Sequence, residues 1–135
     1  MSISLQIKGM GRLMRKLNAI AKDKVIRQSL FEGAIELTKW SKEKRLTGPR
    51  PKYLGVVTGR LRSSVAATRA LRRGNKYYSA IGTNVKYAPV HELGGAKKNI
   101  PARPFLKPAI TNKKNRDLIL KIFRDNIKRE VDRTR

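Results

Sequence analysis

The chain has 135 residues and a formal net charge of +24, from 33 Lys and Arg against 9 Asp and Glu. It contains no cysteine, which excludes disulfide frameworks and cysteine-ligated zinc sites. Hydrophobic residues make up 39% of it, enough for one modest core, so we expect a single domain spanning 1–135. The N-terminal residues lack the apolar run of a signal peptide, and no segment reaches the roughly 18 apolar residues of a membrane helix. The sequence therefore predicts a soluble, unexported protein.

A strand and two helices are predicted at the start of the chain. Residues 2–8 alternate apolar and polar side chains, which is typical of a half-buried strand. Helical spacing then predicts a short helix from Met10 to Ala21 and a long helix from Lys24 to Arg45, with Asp23 as the N-cap of the long one. Gly33 costs about 1 kcal/mol inside a helix, so we interpret it as a point where another element approaches closely.

The middle of the chain predicts loops, a hairpin and a short helix. Residues 48–58 are rich in proline and glycine and indicate an extended loop, after which Thr58 caps a helical turn. Strands over 67–72 and 77–82 are expected to form a hairpin with its turn at 73–76. A short helix from Tyr87 to Leu93 ends at Gly94, and a second extended loop covers 94–105.

Helix returns from Pro108, with an apolar stripe formed by Leu120, Phe123, Ile127 and Val131. Strands and helices are thus segregated along the chain. This order predicts the α+β class, with a small antiparallel sheet packed against a long helix in the N-terminal half and with a C-terminal helix.

The pair His91-Glu92 is the most suggestive of catalysis. A zinc protease motif needs a second histidine four residues after the first, but position 95 is glycine and His91 is the only histidine. Ser63 and Ser64 stand among arginines, with no base near them in sequence. We therefore predict no enzymatic activity, no catalytic residue, no metal site and no cofactor.

The central part of the chain is strongly basic, because Glu92 is the only acid between Glu43 and Asp117. Such a field attracts polyanions. No helix-turn-helix, aromatic RNA-binding strand or zinc finger is recognisable, so any contact with DNA is expected to be independent of base sequence. One hypothesis is accordingly a nonspecific nucleic-acid-binding protein. The candidates for contact with DNA, or with an acidic partner, are Arg60, Arg62, Arg72, Arg73 and Lys76.

Two sequence blocks carry a resemblance to a known family. The first is TGRLRSSV at 58–65, and the second combines YA at 87–88, HELG at 91–94, IPARPFL at 100–106 and PA at 108–109. In this order they resemble the tail-completion and neck proteins of long-tailed bacteriophages, which are also known as virion morphogenesis or head–tail joining proteins. The resemblance covers nearly the whole chain.

The resemblance implies a structural protein of the virion, assembled in the host cytoplasm. Such a protein forms a ring, expected to hold six copies, at the phage neck or at the head-proximal end of the tail. There it closes the tail tube or joins it to the head connector, its partners are the tail tube protein and the head-connector or neck proteins, and DNA passes through the ring. Pro101 and Pro104 fix their own φ angles and favour extended neighbours, so residues 100–105 would form a stiff arm. Phe105 and Leu106 at its end are apolar anchors, either for the protomer's own core or for a neighbour's pocket. The candidates for contact with another subunit or partner are Tyr87, Glu92, Ile100, Pro101, Arg103, Pro104, Phe105 and Leu106.

Overall fold

The computed structural model describes residues 2–4, 15, 17–46, 59–74, 76–95 and 101–133. Within them the strands are β1 (Ser2–Ser4), β2 (Ala66–Ala67), β3 (Leu71–Arg73), β4 (Lys76–Tyr78) and β5 (Ala80–Gly82). The helices are α1 (Ala19–Lys44), α2 (Arg60–Ser64), α3 (Ala88–Leu93), α4 (Lys107–Thr111) and α5 (Lys113–Arg133). The rest of the predicted strand 2–8, most of the predicted helix from Met10, the loop 48–58 with its Thr58 cap, and Ile100 lie outside the described residues.

Helix α1 begins earlier than predicted. Asn18 is its N-cap, and its Oδ1 accepts a hydrogen bond from the Ala21 N–H at 2.8 Å. The prediction that Asp23 caps this helix was therefore wrong, because Asp23 lies inside α1. Asparagine and aspartate are both good caps, and sequence alone did not distinguish the two positions.

The long helices α1 and α5 pack against each other. A Cβ built on Gly33 of α1 would lie 3.2 Å from Cγ1 of Ile119 on α5, closer than side chains normally pack. The predicted close approach at Gly33 is thus confirmed, and α5 is the element that approaches. Farther along the same interface, Asn126 Nδ2 donates to Ser29 Oγ and to Glu32 Oε2, both at 3.0 Å.

The strands form two small antiparallel sheets, in the orders β1-β5-β2 and β3-β4. Ala67 pairs with Ile81, and Leu71 pairs with Tyr78, so the three residues 68–70 face the two residues 79–80. This extra residue has the effect of a β-bulge. It divides what the sequence predicted as one hairpin, while the predicted turn is confirmed by the pairing of Arg73 with Lys76.

The C-terminal helix is interrupted at Asn112, whose backbone is extended (φ −65°, ψ 125°). Its Oδ1 accepts the Asn115 N–H at 3.2 Å, and Asn115 Nδ2 donates to the Ala109 carbonyl at 2.9 Å. The single helix predicted from Pro108 is therefore two helices, α4 and α5. The interruption turns α5 back along α1.

The main core lies between α1, the sheet β1-β5-β2 and the C-terminal helices, and it includes Leu37, Ile81 and Phe123. The predicted class is confirmed: the protein is α+β, with a long helix in its N-terminal half, small antiparallel sheets and a C-terminal helix. Among the described helices, none combines the length and apolar character needed to cross a membrane.

Candidate interaction site

The candidate site is built on the short helix α3. Its Ala88 is fully buried and anchors it in the core. The helix ends at Gly94, whose N–H donates to the Val90 carbonyl at 2.8 Å. Gly94 has φ 85° and ψ 158°, a conformation open essentially to glycine alone. The glycine therefore fixes the direction in which the chain leaves α3.

The described part of the predicted arm, residues 101–105, comes back alongside α3. The Arg103 N–H donates to the His91 carbonyl at 2.7 Å. Pro101 and Pro104 flank this contact, and each fixes its own φ. The arm is thus held both by its proline rings and by a backbone hydrogen bond to the helix before it.

Glu92 binds the end of the arm. Its Oε2 accepts the N–H groups of Phe105 at 2.7 Å and Leu106 at 3.0 Å, and its Oε1 accepts the N–H of Lys107 at 2.9 Å. The residue is only 5% exposed. These backbone groups have no helical partner, because they precede or begin α4. One side chain therefore satisfies three donors; we call this arrangement the Glu92 clamp.

Phe105 and Leu106 lie entirely in the protomer's own core, with no exposed surface. The Phe105 carbonyl also accepts a hydrogen bond from the Ser41 hydroxyl of α1. The sequence left open whether these two side chains anchor in the protomer's own core or in a neighbour's pocket. In the structure they anchor in the protomer's own core. As candidates for direct contact with a neighbour, Phe105, Leu106 and Glu92 are therefore corrected to internal, structural positions.

Other candidates remain at the surface. Tyr87 is 40% exposed, and its ring meets the His91 ring edge to face at 5.6 Å. Pro101 is exposed, and Arg103 and Pro104 are half-buried. Tyr87 and Arg103 both adjoin His91, Tyr87 through its ring and Arg103 through its backbone N–H. Ile100 lies outside the described residues.

The first sequence block meets the second in the core. Gly59, the N-cap of α2, has φ 75°, which also favours glycine. Ser64 Oγ lies 2.6 Å from Thr83 Oγ1, and it also donates to the Leu61 carbonyl. Val65 is 1% exposed and belongs to the same core cluster as Phe105. The motif residues of both blocks thus fix backbone geometry around a shared core.

The predicted basic candidates fall into two groups. Arg72, Arg73 and Lys76 are brought together by the pairing of β3 with β4, and all three are exposed. Arg60 and Arg62 lie on α2, a separate element. The five basic residues therefore lie on two separate elements, three on the hairpin and two on α2.

A cluster that the sequence did not predict joins the hairpin β3–β4 to α1. The Tyr77 hydroxyl donates to Asp23 Oδ1 at 2.8 Å, and Arg27 Nε donates to Asp23 Oδ2 at 2.8 Å. The guanidinium groups of Arg27 and Arg72 lie 5.7 and 5.4 Å from the centroid of the Tyr77 ring. These bonds, first that from Tyr77 and then that from Arg27, lower the pKa of Asp23 below its ordinary value of 3.8. No sequence pattern links residues 54 positions apart.

The arrangement of the site suits it to holding geometry. In the described part of the chain, no group of three or more His, Cys, Asp or Glu side chains could hold a metal ion. Both oxygens of Glu92 are occupied by backbone donors of the chain itself. The clamp therefore has an evident role in fixing the arm.

Comparison with known proteins gives little further information. No protein family model matches the chain, and no solved structure matches it with significance. A segment of 46 residues is 54% identical to the uncharacterized protein MJ0331 of Methanocaldococcus jannaschii. That segment covers 34% of this chain and 33% of the relative, so the similarity is confined to about a third of each.

Proposed function

We propose that this chain is a structural protein of a bacteriophage virion. In this proposal it forms a ring, expected to hold six copies, at the neck or at the head-proximal end of the tail, and DNA passes through the ring. The resemblance of the blocks at 58–65 and 87–109 to tail-completion and neck proteins motivates the proposal. The Glu92 clamp is the observation that supports the proposal best. It gives a physical reason why Glu92 and the segment that ends in Phe105 and Leu106 occur together in the second block.

A ring subunit needs contact segments whose shape is set before assembly. Ordering a loop at an interface costs free energy, so a segment that is already rigid binds with less loss. The clamp fixes residues 105–107, and the bond from Arg103 to His91 fixes the chain just before them. Under this proposal Tyr87 and residues 101–104 contact the neighbouring subunit or the next layer of the joint.

The positive net charge also agrees with a ring through which DNA passes. A net charge of +24 per chain would make copies repel one another unless anions neutralise part of it. The proposed partners supply these anions: DNA in the channel, read without base contacts, and acidic surfaces on the tail tube and head-connector proteins. Arg60, Arg62, Arg72, Arg73 and Lys76 remain the candidates for these contacts.

The test is to locate the chain in finished particles. We expect mass spectrometry to find it in purified virions and cryo-electron microscopy to find it as a ring at the head–tail joint. The free protein is a poor substitute, because such a ring can require the tail as a template. Absence of the chain from finished particles would refute the proposal.

A matched pair of variants tests the contact surface. Tyr87→Ala with Arg103→Gln alters the presented surface, whereas Leu118→Ser with Lys121→Gln alters exposed residues of α5 to a similar extent. We expect the first pair to lower incorporation into particles by at least about tenfold, which corresponds to ~1.4 kcal/mol. The second pair should leave incorporation unchanged. Phe105→Ala is unsuitable, since emptying a buried phenylalanine site costs about 3–5 kcal/mol of stability.

The alternative, a nonspecific nucleic-acid-binding protein, is favoured by the charge alone. It predicts tight binding to any duplex with a steep dependence on salt, and equal loss of affinity in the two charge-reducing variants. It also predicts that the chain is missing from finished particles. The virion measurement therefore separates the two functions even though both proteins would bind DNA.

A further inference from the structure

One face of the hairpin β3–β4 is unusual in combining apolar and basic pairs. Directly opposed residues of an antiparallel pair share a face, and successive pairs alternate between faces. Arg72 and Tyr77 face Asp23 and Arg27 of α1. The pairs on the other face are Leu71 with Tyr78 and Arg73 with Lys76. We call this second face the outer face of the hairpin.

The outer face is open. Leu71 is 58% exposed and Tyr78 is 43% exposed, and both Arg73 and Lys76 are exposed. A lone exposed leucine is ordinary on a protein surface. Here the leucine is opposed by a tyrosine, and the adjoining pair carries two positive charges. The face therefore offers apolar surface and cationic donors side by side.

This face is held in place from behind. The bond from Tyr77 to Asp23 and the ion pair of Arg72 with Asp23, at 3.7 Å, join both strands to α1. Arg72 Nε also donates to the Gly74 carbonyl in the turn at 2.8 Å. A partner therefore meets a platform whose strands are already ordered, which lowers the cost of binding.

We propose that the outer face docks an extended protein segment whose acidic and apolar side chains lie two residues apart and so share one face, as the two pairs of the hairpin do. Carboxylates on such a segment would pair with Arg73 and Lys76, and its apolar side chains would cover Leu71 and Tyr78. A second copy of this chain fits poorly, because a chain of net charge +24 would bring like charges together. Nucleic acid also fits poorly, because phosphates satisfy the basic pair but give Leu71 no apolar partner. This inference concerns the isolated chain and does not depend on ring formation.

The experiment compares two synthetic peptides of equal length and charge with the full-length protein. One peptide, called the Glu-Leu peptide, repeats Glu-Ser-Leu-Ser, so that Glu and Leu share a face. The other, called the Glu-Ser peptide, repeats Glu-Ser-Ser-Ser, and a DNA duplex is the third probe. Fluorescence anisotropy at fixed ionic strength gives each affinity. We expect the Glu-Leu peptide to bind at least about tenfold tighter than the Glu-Ser peptide.

Variants assign the effect to the outer face. Leu71→Ser with Tyr78→Ser should abolish the preference for the Glu-Leu peptide, whereas Leu93→Ser, at a residue 73% exposed on α3, should keep it. Arg73→Gln with Lys76→Gln should weaken both peptides more than Lys121→Gln with Arg124→Gln does. All these residues are exposed, and circular dichroism checks that each variant folds.

Several results would overturn the proposal. Equal affinity for the two peptides would show that the leucines of the peptide make no favourable contact with the protein. A preference that survives Leu71→Ser with Tyr78→Ser would show that Leu71 and Tyr78 do not make that contact. Loss of DNA affinity in that double variant, but not in Leu93→Ser, would show that the face binds nucleic acid. Sedimentation that detects a dimer dependent on Leu71 and Tyr78 would show that it binds a second copy.

Discussion

Glu92 Oε2 accepts the backbone N–H of Phe105 at 2.7 Å, across 13 residues of sequence. This bond joins the end of α3 to the end of the arm, and it places the Phe105 side chain in the core. Gly94 sets the direction in which the chain leaves α3, and Pro101 and Pro104 fix their own φ angles. Glu92 determines where it stops, and α4 begins at that point.

Replacing Glu92 should destabilise the fold. Glu92→Ala leaves three N–H groups without their acceptor, of which those of Phe105 and Leu106 belong to buried residues. An unsatisfied buried donor costs about 1–3 kcal/mol, so we expect the two buried donors to lower stability by at least about 2 kcal/mol. Glu92→Gln turns one acceptor into a donor and should cost about 1–3 kcal/mol. Urea denaturation followed by circular dichroism measures both values.

The control for Glu92 is Glu43→Gln, at an exposed position of α1. It removes the same charge without touching a buried donor, and surface changes of this kind usually alter stability by less than about 0.5 kcal/mol. If Glu92→Gln were as stable as Glu43→Gln, the three hydrogen bonds would have no part in holding the arm.

Sequence reasoning located this segment but not its internal bonding. The prolines predict a stiff arm, and Gly94 predicts the end of α3, because both act on the backbone locally. That Glu92 accepts the backbone N–H groups at the end of the arm could not be predicted. In the sequence, His91-Glu92 resembles an incomplete zinc protease motif, and nothing there links Glu92 to Phe105. Burial of Phe105 was equally open, because an apolar anchor fits its own core and a neighbour's pocket alike.

Substitutions at Gly33 should follow the size of the side chain. A Cβ there meets Ile119 Cγ1 at 3.2 Å. Gly33→Ala gains about 1 kcal/mol of helix propensity against a small displacement of Ile119, so we expect stability within about 1 kcal/mol of the original. Gly33→Val adds methyl groups that the interface of α1 and α5 cannot hold, and should cost at least about 2 kcal/mol. Equal thermal stability of the Val variant and the original protein would contradict the close packing.

The positions of the long helices could be predicted from the regular spacing of their apolar residues. The strands were harder to predict because their apolar pattern is less regular. Gly33 stood out because glycine is costly inside a helix, and its interpretation was confirmed. The start of α1 was misplaced because asparagine and aspartate are about equally favourable at an N-cap, so the pattern did not separate Asn18 from Asp23. The hairpin was divided by one extra residue at 68–70. A bulge of this kind shifts the alternation by one residue, which is why the apolar pattern there was irregular.

The bond from Tyr77 to Asp23 should be visible in titration. The Tyr77 hydroxyl is the main cause of the lowered pKa of Asp23, followed by Arg27. A folded pKa below the unfolded value stabilises the protein above about pH 3.8, and this contribution is lost as the pH falls through the folded pKa. Tyr77→Phe should therefore raise the pKa of Asp23, measured by NMR of the side-chain carboxyl carbon. Tyr78→Phe, on the outer face, is the control and should leave it unchanged; the same value in Tyr77→Phe and Tyr78→Phe would contradict the assignment.

The same bond predicts behaviour at alkaline pH. Burial, followed by the hydrogen bond to Asp23, raises the pKa of Tyr77 above its ordinary value of 10.0. Its contribution to stability is complete below that pH and is lost as the pH rises through the folded pKa. Ultraviolet titration should show a phenolate that forms above the ordinary range, and Tyr77→Phe should remove that late step. If the late ionisation step were still present in Tyr77→Phe, this assignment to Tyr77 would be contradicted.

The pairing of Asn126 with Ser29 should show coupling in a double-mutant cycle. Ser29 is fully buried on α1, and Asn126 on α5 is 7% exposed and donates to its hydroxyl. Each single alanine variant leaves a polar partner in the interface, whereas the double variant removes both, so the costs should be less than additive by about 0.5–1 kcal/mol. Ser29→Ala combined with Lys128→Ala, at an exposed position of α5, should be additive within about 0.5 kcal/mol. Additivity in the Ser29 and Asn126 cycle would mean that this hydrogen bond does not help to align the two helices.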